Sequence, residues 1–328
     1  MAKSTTITRT KPDLDTTVEA LKQGEVGGTT PASVFYGLSG LTSVELNRVR
    51  PVWAVLKPDY RLKVMERLAE TAETDFEMDY RAFGIMGLSD IDARVRQASI
   101  EVLWEDESVE LMRRLIDMAN QDVSVEVRAA AVNALGRFIM LGEMGDFSEN
   151  EALKAQDAVI ALLKDEMLDV EIRRRALEAI SNSSNEIVPD AINRAYRSGN
   201  HRMKVSAVFA MGRSSDERWG DAVLHEIESD DPEIRYEAAR AVGELELTEA
   251  IPHLGRLLAE DDREIKEVAV WSLGEIGGRE ALRILNAVLE VAENEEDDDL
   301  VEATEDAIGN ASMIGGDIFP TVDIKDLN

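Results

Sequence analysis

DPEIRYEAARAVG (231–243) and DREIKEVAVWSLG (262–274) are two copies of one pattern. Each opens with an acid, runs two residues to an aliphatic, places Arg or Lys next, continues through small and apolar residues and closes on glycine. The acid stands where a helix N-cap belongs and can accept the backbone N–H bonds that a first turn leaves open. Pro232 follows at the first helical position, where its missing donor costs nothing. The aliphatic before the basic residue, together with the third, fourth and seventh positions after it, falls on one stripe of a 3.6-residue period. In the first copy these are Ile234, Ala238, Ala239 and Val242. Alanines at the third and sixth positions let a neighbouring helix approach closely. The closing glycine is expected to end the helix through a left-handed residue.

NHRMKVSAVFAMG (200–212) repeats the pattern, and looser copies are DARVRQASIEVLW (92–104), SVEVRAAAVNALG (124–136), DVEIRRRALEAIS (169–181) and DDDLVEATEDAIG (297–309). The basic anchors Arg96, Arg128, Arg173, Lys204, Arg235 and Lys266 are spaced 32, 45, 31, 31 and 31 residues apart, and Val301 takes the place 35 residues further on. The 45-residue step implies an insertion at 137–153. It reads either as a longer helix with a loop packed on its neighbours or as a protruding binding loop. Between the copies lie amphipathic partners such as DAVIALLKDE (157–166), AVLHEIES (222–229), AIPHLGRLLAE (250–260) and ALRILNAVLEVAE (281–293). Two helices per 31 residues make one helical hairpin, which cannot bury its apolar stripe alone. Stacked hairpins can.

The pattern D-x-x-[VI]-R-x-x-A-x-x-A-[LI]-G resembles the bacterial HEAT repeats known as phycobilisome-lyase-like HEAT repeats, over about 90–310. The resemblance implies an all-α fold, an α-solenoid built as a right-handed α-α superhelix of HEAT-like repeats, with the second helix of each hairpin lining a concave side. Residues 90–311 are the expected repeat array and 16–89 an N-terminal helical cap with a degenerate repeat. In the cap, 43–56, 58–73 and 75–88 read as helices and VFYGLSGL (34–41) as an apolar loop or turn. Residues 1–15 are expected to be disordered and 312–328 to form a C-terminal tail on the last repeat.

Composition narrows the chemistry. The absence of cysteine removes disulfides, thiolate catalysis and zinc–thiolate sites. A net charge of −30 opposes a phosphate-tracking or anionic-membrane surface, so neither nucleic acid nor membrane is an expected partner. No apolar stretch reaches the roughly 18 residues needed to span a bilayer, and the N-terminal residues have no apolar core of a secretory signal, which points to the cytoplasm. Deoxyhypusine hydroxylases share the repeat and hold iron with several His-Glu pairs; only His225-Glu226 exists here. DNA glycosylases of this architecture need a basic concave surface. ENEEDDDLVEATED (293–306) lacks the mid-loop glycine of an EF-hand, and no phosphate-cradling glycine loop occurs. No catalytic residue, metal site or cofactor is expected.

A rotation of 100° per residue puts the first, fifth and ninth positions after each anchor opposite the apolar stripe. Both ends of the resulting row are acidic: Gln97, Glu101 and Glu105 at one, Glu302, Asp306 and Asn310 at the other. Its middle carries Arg137, Arg174, Arg213 and Arg240 beside Phe209, Tyr236 and Trp271. Arginine and aromatic residues dominate binding hot spots. These seven are the candidate partner-binding residues of a non-catalytic scaffold or adaptor that takes a segment of another protein, acidic or apolar at the middle and basic towards the ends. The alternatives are inter-repeat packing for the patch and, for the whole protein, a bilin-lyase-like enzyme or lyase subunit handling a tetrapyrrole.

Overall fold

The computed structural model describes residues 11–314. Among them are 18 α-helices and no strand, in two compact units divided between Ile172 and Arg173.

The first unit contains α1 (Leu14–Gly27), α2 (Ala32–Leu38), α3 (Ser43–Val55), α4 (Pro58–Thr74), α5 (Arg81–Gly87), α6 (Ala93–Val102), α7 (Val109–Gln121), α8 (Val125–Met144) and α9 (Glu149–Lys164). Helices α4, α6 and α8 pack on one another in succession, and α7 and α9 flank α8. The core of the early helices gathers Leu21, Val34, Leu38, Val64, Met65, Leu68 and Phe83, with Trp53 edge-on to Phe83 at 4.9 Å. Within it lies an ion pair, Arg61 to Asp90 at 2.8 Å, both side chains 4% exposed. Arg61 also donates to the carbonyl of Leu56 and Asp90 accepts from the Trp53 indole, while the buried Nε of Arg61 has no hydrogen-bond partner among the described residues.

Three expectations change in this unit. Residues 34–38 belong to helix α2, because Val34 and Leu38 need a fully buried place that a turn would not provide. Residues 75–80 are not helical, since Asp75 and Asp79 accept from the backbone N–H groups of Glu77 and Arg81 and stabilise turns instead. Of the two readings of the long step between repeats, the longer helix holds: α8 runs on for 20 residues through Gly136, burying Phe138 and Ile139, and Phe147 folds back edge-on to Phe138 at 5.4 Å. At the N-terminus α1 starts at Leu14, capped by Asp13, inside the segment expected to be disordered. The rest of that segment, through residue 10, lies outside the described residues.

The second unit begins within α10 (Val170–Ile180) and continues through α11 (Ile187–Tyr196), α12 (His201–Arg213), α13 (Gly220–Glu226), α14 (Pro232–Glu244), α15 (Ile251–Leu257), α16 (Arg263–Ile276), α17 (Gly278–Glu295) and α18 (Asp298–Ile314). Each even-numbered helix from α12 to α18 packs against the helix before it and against the next even-numbered one, which is a stack of helical hairpins. Asn200, Asp231 and Asp262 cap α12, α14 and α16 through their side chains, as the pattern requires. Each such cap is worth about 1 kcal/mol. The stripe residues Ile234, Ala238, Ala239 and Val242 are buried. Helix α18 extends to Ile314, so Met313 and Ile314 are helical; the remainder of the expected tail lies outside the described residues.

The basic anchors hold successive layers in register. Arg235 donates to the carbonyl of Ser229, in the connection that follows α13, and to Glu260 in the next hairpin at 2.9 Å. Lys204 reaches Glu226 at 2.9 Å in the same way. In the first unit Arg96 bonds the Asp90 carbonyl and Asp122.

The repeated glycines do something other than terminate helices. Gly212, Gly243 and Gly274 lie inside α12, α14 and α16. The positive φ angles come three residues later, at Ser215 (49°), Glu246 (51°) and Gly277 (65°). A methyl at Gly212 would stand 2.7 Å from Cα of Ala241; at Gly243, 2.9 Å from Cα of Ser272; at Gly274, 2.9 Å from Cα of Ala307. Each glycine is the point where one second helix touches the backbone of the next. Gly309, in α18, meets nothing within 4 Å. Gly212→Ala and Gly243→Ala should therefore each destabilise the protein by about 1–3 kcal/mol through overpacking. Gly309→Ala should stabilise it by up to about 1 kcal/mol through helix propensity. Urea midpoints of the three variants check the opposite signs.

Candidate partner-binding face

In the second unit the even-numbered helices present their first, fifth and ninth post-anchor positions on one face, and the polar groups there are paired across helices. Glu178, 9% exposed, receives Arg174 at 2.9 Å, Arg175 at 2.7 Å and the hydroxyl of Ser206 from α12 at 2.5 Å. Glu244 receives Arg213 from α12 at 3.3 Å and Arg240 from its own helix at 3.2 Å. The Arg240 guanidinium also lies over the Phe209 ring, 5.1 Å from its centroid. Two nearly buried carboxylates thus each gather two arginines and tie α10 to α12 and α12 to α14. Charge-assisted bonds of this kind are short and geometrically demanding, so they fix the register of the face more than they add stability.

Of the seven residues singled out in the sequence, Arg174, Phe209, Arg213, Tyr236, Arg240 and Trp271 lie on this face. Arg174, Arg213 and Arg240 are engaged by Glu178 and Glu244, so the positive charge expected for an acidic segment is balanced within the wall. Tyr236 is half-buried and Trp271 is 39% exposed. Arg137 belongs to the first unit. There its guanidinium donates to the carbonyl of Asp106 at 2.7 Å and lies 5.3 Å from the Trp104 ring and 5.0 Å from Phe138. Burial pulls its pKa below the usual arginine range, with the nearby Glu107, Asp106 and Glu105 opposing.

One titratable group escaped the sequence reading. Glu237 stands at the second position after its anchor, a place held by Ala98, Ala130, Ser206, Val268 and Ala303 in other copies and by a charged residue elsewhere only at Arg175, and that mismatch is the signal that marks it. Its Oε2 is buried and has no hydrogen-bond partner among the described residues. Burial pushes its carboxyl up to about 7; Arg240 and Arg174 pull the other way, and Glu178 and Glu244 reinforce the rise.

Among the described residues no group of three or more His, Asp or Glu is placed to hold a metal ion. No helix there is long and apolar enough to cross a membrane. His201 pairs with Asp231 and His253 with Glu228, at separate places on the stack.

The Glu237 carboxyl has a consequence for stability. The folded protein keeps this proton up to about pH 7, whereas an unfolded glutamic acid releases it near 4.5. The contribution is therefore fully present below about pH 4.5 and disappears as the pH rises through about 7. Glu237→Gln should raise the thermal midpoint at pH 8 and change it little at pH 4.5, measured by circular dichroism across that range.

HEAT repeats are matched at residues 188–274 and 220–309. No curated protein matches the sequence. Among solved structures, YIBA of E. coli is 16% identical, with 88% of this chain and 95% of that chain covered and a TM-score of 0.41. The CpcE–CpcF complex of phycocyanin lyase from Nostoc sp. PCC7120 is 18% identical, covering 70% of this chain and 93% of that one, with a TM-score of 0.44. The Kap95:Nup1 complex is 13% identical, covering 93% of this chain and 46% of that one, with a TM-score of 0.48. At this identity and superposition no activity or partner is carried across. The cap, stripe, anchor and close-contact glycine recur within the matched span, and residues 188–309 are HEAT repeats of an all-α chain.

Proposed function

We propose that this protein is a non-catalytic interaction scaffold that binds a segment of another protein on the second-helix face of its second unit. The observation that carries the reading is the placement of Phe209, Tyr236 and Trp271 on the consecutive second helices α12, α14 and α16, Phe209 beneath Arg240 and Trp271 39% exposed. The ion pairs around Glu178 and Glu244 hold that display in place. A rigid aromatic surface binds with little conformational entropy lost, which favours recognition of an extended partner segment. The net charge of −30 works against nucleic acid and anionic membrane as partners. A cysteine-free chain draws no stability from an oxidising compartment, and cytoplasmic residence is part of this reading.

The test is affinity capture from cells of the source, comparing the wild-type protein with Trp271→Ala and Tyr236→Ala. Each substitution should reduce recovery of the partner about tenfold while leaving the far-ultraviolet circular dichroism unchanged. An identical set of co-purifying polypeptides for all three proteins would remove this face from consideration.

A further inference from the structure

The stack contains its own template for what covers an aromatic on the second-helix face. Phe209 and Arg240 stand at the fifth positions after the anchors Lys204 and Arg235, on successive second helices. The guanidinium covers the ring at 5.1 Å and pairs with Glu244, at the ninth position. In the first unit the Arg137 guanidinium of α8 makes the same kind of contact with Trp104, which follows α6, at 5.3 Å, and leaves that indole 54% exposed. Trp271 is the fifth-position aromatic of α16, and the fifth position on the following second helix, α18, is Asp306. Where the earlier step supplies a cation, this step supplies an acid, and the ring is left uncovered.

Between α16 and α18 lies an open groove of about 660 Å³, walled by Trp271 and Met313 and rimmed by Glu267, Glu275, Glu305 and Asp306. Met313 is 63% exposed. Among the described residues, no lysine or arginine pairs with Glu275, Glu305 or Asp306; Glu275 accepts only from Asn310, at 2.6 Å. Glu267 has Arg263 at 2.7 Å, but that arginine is shared with Asp297 and Asp299 at 3.2 and 3.4 Å. The groove is thus an aromatic and thioether surface inside a rim of four carboxylates, three of which have no basic partner among the described residues.

We propose that the groove between α16 and α18 receives a lysine or arginine side chain from a basic segment of a partner protein, its cationic head over Trp271 and its charge met by Glu275 and Asp306. The aliphatic stem of such a side chain lies on Met313, and the head makes the ring contact that Arg240 makes with Phe209. The proposal rests on the second-helix face being the binding face, and it gives a named place to the basic end of the segment expected from sequence. The chain's own residues 315–328 hold Asp317, Asp323 and Asp326 against Lys325 alone, so charge favours an external basic segment.

The test is fluorescence anisotropy of the full chain with two labelled twelve-residue peptides, one alternating Lys and Arg with Leu and Ala, the other with Glu in the basic positions. The basic peptide should bind. Trp271→Ala and the double variant Glu275→Gln/Asp306→Asn should each weaken it about tenfold. The double variant Glu149→Gln/Asp157→Asn, which removes the same charge from exposed positions of α9, should change it less than twofold. Equal weakening by both double variants would reduce the effect to general attraction by an acidic protein and overturn the proposal. Trp271-dependent binding of the acidic peptide would overturn it too, while leaving the binding face in place. Insensitivity of both peptides to Trp271→Ala would bring down the proposal and the face together. Deletion of 315–328 should leave the affinity within twofold; a tenfold gain would assign the groove to the chain's own segment.

Discussion

Successive second helices of the second unit touch backbone to backbone, and that contact sets the scale for everything else on the face. Gly212 against Ala241, Gly243 against Ser272 and Gly274 against Ala307 leave no room for a methyl group. At such separations the alanines of the stripe bury fully, and dispersion contacts accumulate along the whole helix pair. The hydroxyl of Ser272 uses the same closeness to donate to the carbonyl of Ala239 at 2.8 Å on the preceding second helix. Larger residues at these points would open the layers and break the lateral contacts of the face, the ring–guanidinium contact of Phe209 and Arg240 included.

With the layers so near, charges on neighbouring helices must be matched. The matching is uneven along the stack. From α10 to α14 each nearly buried glutamate gathers two arginines, and the wall is close to neutral. Glu237 sits among these groups with an unpartnered oxygen, and its burial outweighs the attraction of Arg240 and Arg174. From α16 to α18 the arginines give out while the carboxylates continue. In this protein of net charge −30 the acidic rim between α16 and α18 surrounds an exposed indole. General acidity keeps a protein soluble, but it does not by itself place an aromatic among the acids.

Much of this was legible in the sequence, and the reason is local. A cap, a stripe and an anchor lie within a single helix, so their spacings along the chain are their spacings in space. Asp231, Ile234, Arg235 and Val242 declared the start, buried side, inter-layer bond and period of α14 without reference to any neighbour. The same arithmetic put Phe209, Tyr236, Arg240 and Trp271 on one face. Less regular segments gave less: Val34 and Leu38 read as a turn because one short apolar run has no period to count, and only their burial under the early helices makes them helical.

The sequence by itself determined that the chain contains repeated helical hairpins, where the capped second helices of the repeats start and which side of each is apolar. Tertiary structure alone decided what each face residue meets. It turned the glycines from helix ends into contact points, ran α8 on as one long helix, brought Ser206 to Glu178 and Arg213 to Glu244 across neighbouring helices, and left Trp271 without a cation. The difference has one physical cause. Helical periodicity depends on residues within a turn or two of each other, whereas the partner of a face residue belongs to a helix about thirty residues away, and its identity depends on how closely and in what register the two backbones pack.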